Sequence, residues 1–421
     1  MTWLQRYRLK DLVLNAVWLP PLLGMVAALV AMPVMREVDA VLAVKPIVSP
    51  DGARAMLAAL STAMLTFIVF VFSILLLAVQ LASAQLSPRI IAGFYRNRVI
   101  KFALAIFVFA FIYTLALLSR IDDKVPQVSM WLATGGCAIC IGVFLFMIDH
   151  VGKGLRPVAI LTSVGTAGQA VIGEIYPKAI GESAEPPAPD LPSLVGEPAR
   201  TITARRTGVV LAIDVAGLVA LARQAGCVVE FVPQVGDFVT EGDPFFRLYR
   251  GGGSLTDSDL GHAVAIGPER TMEQDPAFAF RIVVDIAAKA LSPAINDPTT
   301  GVLAIDQLHR LLRVVAGRRL DTGRVNDESG QLRLVFRTPD WEDFVSLAVT
   351  EIRHFGRDSI QIARRLRAML ESLIAAVPAH RAVALREQLE ILGRGVATDF
   401  RDPEDRLRAA SGDSLGVGGS A

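Results

Sequence analysis

Charged side chains are missing from four long stretches of this 421-residue chain: residues 12–35, 55–88, 102–119 and 125–148. No Asp, Glu, His, Lys or Arg falls within them. That argues against a proton-coupled pump, which needs a carboxylate or histidine inside the membrane. Cysteine is nearly as scarce, with three in all. Cys137 and Cys140 sit inside an apolar run and Cys227 stands alone, so an extracellular disulfide scaffold is excluded. Cys137-Ala-Ile-Cys140 has redox-motif spacing, but a thiol in hydrocarbon is a poor nucleophile. These two read as small apolar packing residues. Excess charge is lacking too: the net charge of +1 gives no global basic field and no case for a nucleic-acid partner. There is no P-loop, no GxSxG and no HExxH. The five histidines, His150, His262, His309, His354 and His380, have no metal-ligand spacing. Neither a metal nor a cofactor is implied, and an enzyme has no positive support.

What is present is hydrophobicity, unevenly spread. Apolar residues make up 52% of the chain and mean hydropathy is +0.47. Nearly all the long apolar runs precede His150. A helix needs about 20 apolar residues to cross the hydrocarbon core, and all four runs approach or exceed that. The first is too long in its apolar core, and too poor in cleavage signals, for a signal peptide. Pro20, Pro21 and Pro33 suggest a kink or a late start in this first helix. Basic residues set the orientation. Arg6, Arg8 and Lys10 precede the first helix, Arg89, Arg96, Arg98 and Lys101 lie between the second and third, and Lys153 and Arg156 follow the fourth. These segments share one side, and the positive-inside rule makes it the cytoplasm. Both termini are expected there.

The second run is 34 residues long, or roughly 50 Å of helix against a ~30 Å core. It must tilt, project, or both. Thr62, Thr66, Ser73, Gln80 and Ser87 recur on one face, with Ser83 flanking it. Gln85 points roughly 140° away from Gln80. Two readings stand: helix–helix packing, or a polar lining for an ion or small-solute path. Four helices enclose little space, so a pore would require a homo-oligomer.

After His150 the pattern is that of a water-soluble α+β domain. A helix leaves the membrane, and a Pro-rich acidic linker follows. Residues 208–248 then alternate short apolar runs with two Gly-Asp turns. That segment resembles half of a lipoyl- or biotinyl-type barrel-sandwich domain. No lysine occurs between Lys178 and Lys289, so a swinging-arm carrier is excluded and only a fold likeness remains. The densest polar cluster follows. Arg281, Asp285 and Lys289 are spaced for intrahelical ion pairs. Asn296 and Asp297 end in Pro298, Thr299 and Thr300, the pattern of a capped helix start. Such a start could hold a small anion, or be no more than a well-capped turn. The expected fold is thus a membrane α-helical bundle of four transmembrane helices plus a cytoplasmic α+β domain with a small β-barrel-like segment. Its parts are a transmembrane domain at 1–150, a connecting helix at 151–180 and a Pro-rich linker at 181–205. A β-rich segment at 206–250, a mainly helical domain at 251–405 and a disordered tail at 406–421 complete it.

Two segments carry a family resemblance. One runs from Phe72 through Gln80, Ser83 and Ser87 to Arg89. The other runs from Gln274-Asp-Pro-Ala-Phe-Ala-Phe-Arg281 through Asp285 to Leu291-Ser-Pro-Ala-Ile-Asn-Asp-Pro-Thr-Thr300. The chain resembles the predicted bacterial membrane proteins grouped as domain-of-unknown-function family 2254. The resemblance implies an inner-membrane protein with a cytoplasmic C-terminal domain and transfers no residue roles. Two functions follow as expectations. One is an oligomeric channel or transport protein, its second helix lining the path and its cytoplasmic domain regulating it. The other is a membrane-anchored ligand-binding or signalling module whose site is Arg281, Asp285, Asn296, Asp297, Thr299 and Thr300. A membrane enzyme ranks third.

Overall fold

A computed structural model describes residues 2–86, 97–122, 125–180, 196–320 and 323–417. The chain divides into two compact units, Leu9–Ala159 and Ile160–Ala421 together with Met1–Arg8.

In the first unit the charge-free runs form helices, the only open-chain structure that satisfies its own backbone without water. α1 (Trp3–Asn15) precedes α2 (Leu19–Leu42), which carries Pro20 and Pro21 in its first turn and Pro33 inside it. The prolines mark a helix start, where a missing N–H costs nothing. α3 (Pro50–Gln85) starts at Ser49, whose side chain accepts from the Gly52 N–H at 3.2 Å. α4 (Arg98–Leu118) and α5 (Gln127–Gly154) follow. α4 is central and touches α2, α3 and α5. Its approach to α2 is closest at Gly24, where a Cβ would lie 2.3 Å from the Ala105 carbonyl oxygen. Phe67, Phe107 and Phe144 interlock edge to face, with ring centroids 5.1 Å apart in both pairs that Phe67 makes. Polar ties close one end of the bundle. Asp39 accepts from the Val128 N–H at 2.8 Å and from the Ser129 hydroxyl, capping α5 from α2. The Arg54 guanidinium donates to the Ile121 carbonyl at 2.9 Å. The outer surface is apolar: Leu29 is 54% exposed, Val69 59% and Leu145 63%. Such a belt suits lipid, not water.

The second unit mixes helices and two sheets. Its elements are α6 (Pro157–Ile175), β1 (Arg200–Thr203), β2 (Gly208–Ile213), α7 (Val215–Gln224), β3 (Val228–Gln234), β4 (Phe238–Val239) and β5 (Pro244–Tyr249). Then come α8 (Asp257–Gly261), β6 (Val264–Gly267), α9 (Pro276–Ala290), α10 (Pro298–Ala316), β7 (Arg324–Asn326) and β8 (Leu332–Arg337). α11 (Trp341–Phe355), α12 (Ile360–Ala376), α13 (Ala382–Asp399) and α14 (Pro403–Ala409) complete it. A five-stranded sheet has the order β1-β5-β3-β8-β7 and a three-stranded sheet the order β4-β2-β6. All pairs are antiparallel except β3 with β8. Phe231, Phe245 and Phe246 fill the core between strands, with Leu218 of α7 beside them.

Three expectations change here. The barrel-like segment is not a closed barrel. β3 and β5 pair with each other, but the free edge of β3 takes β8 from a hundred residues later, and β2 takes β4 and β6. The strands of the half-motif are therefore shared between two open sheets. Its two Gly-Asp turns do form. Gly236 and Gly242 have φ of +97° and +96°, and Asp237 and Asp243 accept from the N–H three residues before, at 2.9 and 2.7 Å. Second, among the described residues five helices, α2 to α6, are long and apolar enough to cross a bilayer, one more than the four expected. The fifth, α6, is built into the second unit. A Cβ at Gly168 would meet the Ala279 methyl at 2.7 Å and Leu311 at 3.0 Å, and one at Gly165 would meet Gln307 at 2.4 Å. Third, part of the stretch expected to be a disordered tail makes defined contacts. The second half of α14 lies in it, and Arg365 donates to the carbonyls of Asp413 and Ser414 at 3.0 and 2.7 Å. Of the expected linker, residues 181–195 lie outside the described residues, and Arg200–Thr203 is a strand.

Candidate functional site

The polar stripe of α3 lies on the outside of its unit. Thr62, Thr66, Ser73 and Gln80 are exposed and Ser83 is half-buried; Ser87 lies outside the described residues. The face turned to the other helices carries Leu57, Ser61, Met64, Val71 and Leu75 instead. Each exposed hydroxyl bonds its own helix. Thr62 donates to Ala58, Thr66 to Thr62 and Ser73 to Val69, all at 2.9–3.0 Å to the carbonyl four residues before. That back-bonding lets a hydroxyl face lipid without an unpaired donor. Thr62 and Thr66 border one open groove on this outer face, with Phe67 and Phe70, and Ser73 borders another.

The Arg281–Thr300 cluster resolves into two hydrogen-bonded sets. Arg281 grips Glu351 of α11 with two bonds, at 2.5 and 2.6 Å, and Asp285 with a third at 2.6 Å. The Glu351 bonds foremost push this guanidinium further above its ordinary range. Asn296 takes a left-handed φ of +50°. Asp297 then caps α10, accepting from the Thr300 N–H at 3.1 Å and from the Thr300 hydroxyl at 2.6 Å. Thr299 is exposed and Thr300 buried.

A different polar group opens onto a cavity. It is built on Gln274-Asp275-Pro276, the start of α9. The Gln274 carboxamide both accepts from the Ile213 N–H, at 2.9 Å, and donates to the Ile213 carbonyl, at 3.2 Å. It thereby extends the end of β2 as a backbone would. Asp275 is 2% exposed and caps α9 through the Phe278 N–H at 3.0 Å. Arg270 holds its other oxygen. Burial pushes the Asp275 carboxyl up, and the Arg270 contacts oppose that rise. Gly236 leaves room for the pair: a Cβ there would sit 2.5 Å from both Arg270 Nη2 and Asp275 Oδ2.

Beside this pair lies a cavity of about 230 Å³, where the end of α6, the ends of β2 and β3, the start of α9 and the end of β8 converge. Tyr176 lines it. This ring is fully buried and packs edge-on against Phe344 with centroids 6.3 Å apart, and its hydroxyl has no hydrogen-bond partner among the described residues. Burial, and then the charges of Asp275 and Asp343, push that phenol up, so it is a neutral O–H donor at physiological pH. Unpaired buried hydroxyls are costly and uncommon. The walls are apolar at Val215, Val235 and Phe336, while Gln234, Glu174 and Arg337 supply polarity. Sequence reasoning passed over this site. Gln274 and Asp275 stood inside a quoted motif, and the Asp-Pro pair signalled a capped helix, but a lone tyrosine ending an apolar helix gave no signal.

The comparisons with known proteins follow the same outline. An uncharacterised protein of Mycobacterium bovis and one of Mycobacterium tuberculosis are each 27% identical to the chain over 427 residues, covering 96% of it and 80% of their own length. No solved structure matches. The family described as predicted membrane protein, DUF2254, matches residues 15–372, which include the lipid-suited helices, the α3 stripe and the Tyr176–Asp275 cavity. The chain is an integral membrane protein and belongs to the DUF2254 family.

Proposed function

We propose that this protein is a membrane-anchored ligand-binding module. α2 to α5 hold it in the bilayer of a bacterial inner membrane, and the α+β unit stands on the cytoplasmic side with both termini. The basic residues flanking the helices support that orientation. The cavity beside Asp275 takes a small molecule. One observation carries the reading: a cavity of about 230 Å³ with apolar walls at Val215, Val235 and Phe336 also carries the polar side chains of Glu174, Gln234 and Arg337, the mixture that small-molecule sites use. A thermal-stability screen of the full-length protein in detergent tests it. A binder should raise the melting temperature of the wild type and leave the cavity-filling variant Val215→Trp unmoved. If every stabilising compound acts equally on both proteins, the cavity is not the site.

A second reading is an oligomeric channel or transport protein with a cytoplasmic regulatory domain. Its support is the exposed polar stripe on α3, whose 36 residues span roughly 54 Å. In a ring of protomers that outer face would turn inward. Mass photometry of the solubilised protein, with flux assays on Ser73→Leu and Gln80→Leu, separates the two. A monomer, or unchanged flux in both variants, removes the channel.

A further inference from the structure

Resting on the ligand-binding reading, we infer that the cavity takes a free amino acid, recognised as a zwitterion. Its two most exposed polar side chains carry opposite charges, Glu174 at the end of α6 and Arg337 at the end of β8. Among the described residues, neither side chain has a hydrogen-bond or ion-pair partner. Most other charged groups nearby are already matched. Asp275 is held by Arg270, Arg333 by Asp327 at 2.7 Å, and Arg281 by Glu351. Two unmatched charges of opposite sign on one cavity suit a ligand with an ammonium and a carboxylate. Between them the walls are apolar, at Ile213, Val215, Val235 and Phe336, which suits an apolar side chain. Size agrees: about 230 Å³ is below the roughly 300–1,000 Å³ of pockets for drug-sized molecules. A simple anion would leave Glu174 opposing it, and a simple cation would leave Arg337 doing so.

Isothermal titration calorimetry on the full-length protein in detergent tests this with four probes. L-phenylalanine and L-leucine carry both charges. Phenethylamine lacks the carboxylate and 3-phenylpropionate lacks the ammonium. The amino acids should bind, with each single-charge analogue weaker by about tenfold or more. Arg337→Gln should erase the preference for phenylalanine over phenethylamine, and Glu174→Gln the preference over phenylpropionate. Both variants should keep the wild-type melting temperature, because neither residue has a protein partner to lose. Equal binding of the analogues overturns the inference, as does amino-acid binding that survives Val215→Trp. If all four probes fail while another small molecule binds and is lost in Val215→Trp, the amino-acid assignment falls and the ligand-binding reading stands. If nothing binds in the cavity at all, both fall together.

Discussion

The two units of this chain solve opposite solvent problems. In Leu9–Ala159 large apolar side chains such as Leu29, Val69 and Leu145 lie outward, while Ser61 and Thr114 are buried. In Ile160–Ala421 the apolar residues are gathered inside, around Phe231, Phe246 and Leu334 in one cluster and Phe280 and Phe344 in another place. The handling of polarity differs as well. Hydroxyls on α3 satisfy themselves on their own helix. Charges of the second unit are instead matched by other side chains, as Arg270 with the buried Asp275 and Arg281 with Glu351 of α11. The first unit is held by close helix approach and the second by a filled core with paired charges. Mutations should therefore cost stability through different channels in each.

Four substitutions sharpen that contrast, each followed by thermal or denaturant unfolding of the solubilised protein. Trp341, buried in the second unit, and Trp131, exposed in the first, give separate fluorescence reporters in single-tryptophan backgrounds. The largest effect is expected from Arg270→Met. It strands the Asp275 carboxylate in a buried site and should destabilise the second unit by about 3–5 kcal/mol. Its companion Asp275→Asn keeps the cap to Phe278 and removes the charge. The folded-state value of Asp275 is raised above its ordinary 3.8, so the native state binds this proton more tightly than the unfolded chain. Its contribution is fully present below the unfolded value and is lost as pH rises through the folded one. The stability advantage of wild type over Asp275→Asn should shrink as pH rises from about 4. A flat difference would mean that Arg270 already compensates the burial.

Next comes Gly24→Ala, which drives a methyl into the Ala105 carbonyl and should cost the first unit about 2–3 kcal/mol. Gly135→Ala is the control, since nothing lies within 4 Å of a Cβ there. Equal losses would refute close approach as the source of bundle stability. Asp297→Ala should cost about 1 kcal/mol, the usual worth of a helix cap. Should it also abolish binding of an anionic probe to the full-length protein, the capped turn is a site after all. Smallest is Thr66→Val, within about 0.5 kcal/mol, because an exposed, self-bonded hydroxyl has little to lose.

Legibility in the sequence followed the range of the interactions. Local signals held up well: the Gly-Asp turns were readable from residue type alone, and the capped start at Asp297 from its Asn-Asp-Pro-Thr-Thr pattern. The first unit's helices were plain because each satisfies its backbone within itself. Long-range pairing was not readable. Nothing near Val228 announces that β3 will pair in parallel with Leu332–Arg337, and this pairing is what turns an apparent half-barrel into an edge of a larger sheet. Spacing put the α3 polar residues on one face but could not say which way the face looks, since helical period gives relative and not absolute direction. The cavity was hardest. It joins Tyr176, Gln274 and Arg337, three residues brought together only by the fold, and just one of them stood in a segment the sequence had marked.

α6 has a consequence for how the protein is made. It is as apolar as a membrane span, yet the residue that Gly168 meets, Ala279, is translated more than a hundred positions later. At 5–20 residues per second that gap is roughly 5–20 s. Throughout it an apolar 19-residue segment follows four others of the same kind, before the surface that Gly168 packs against has been made.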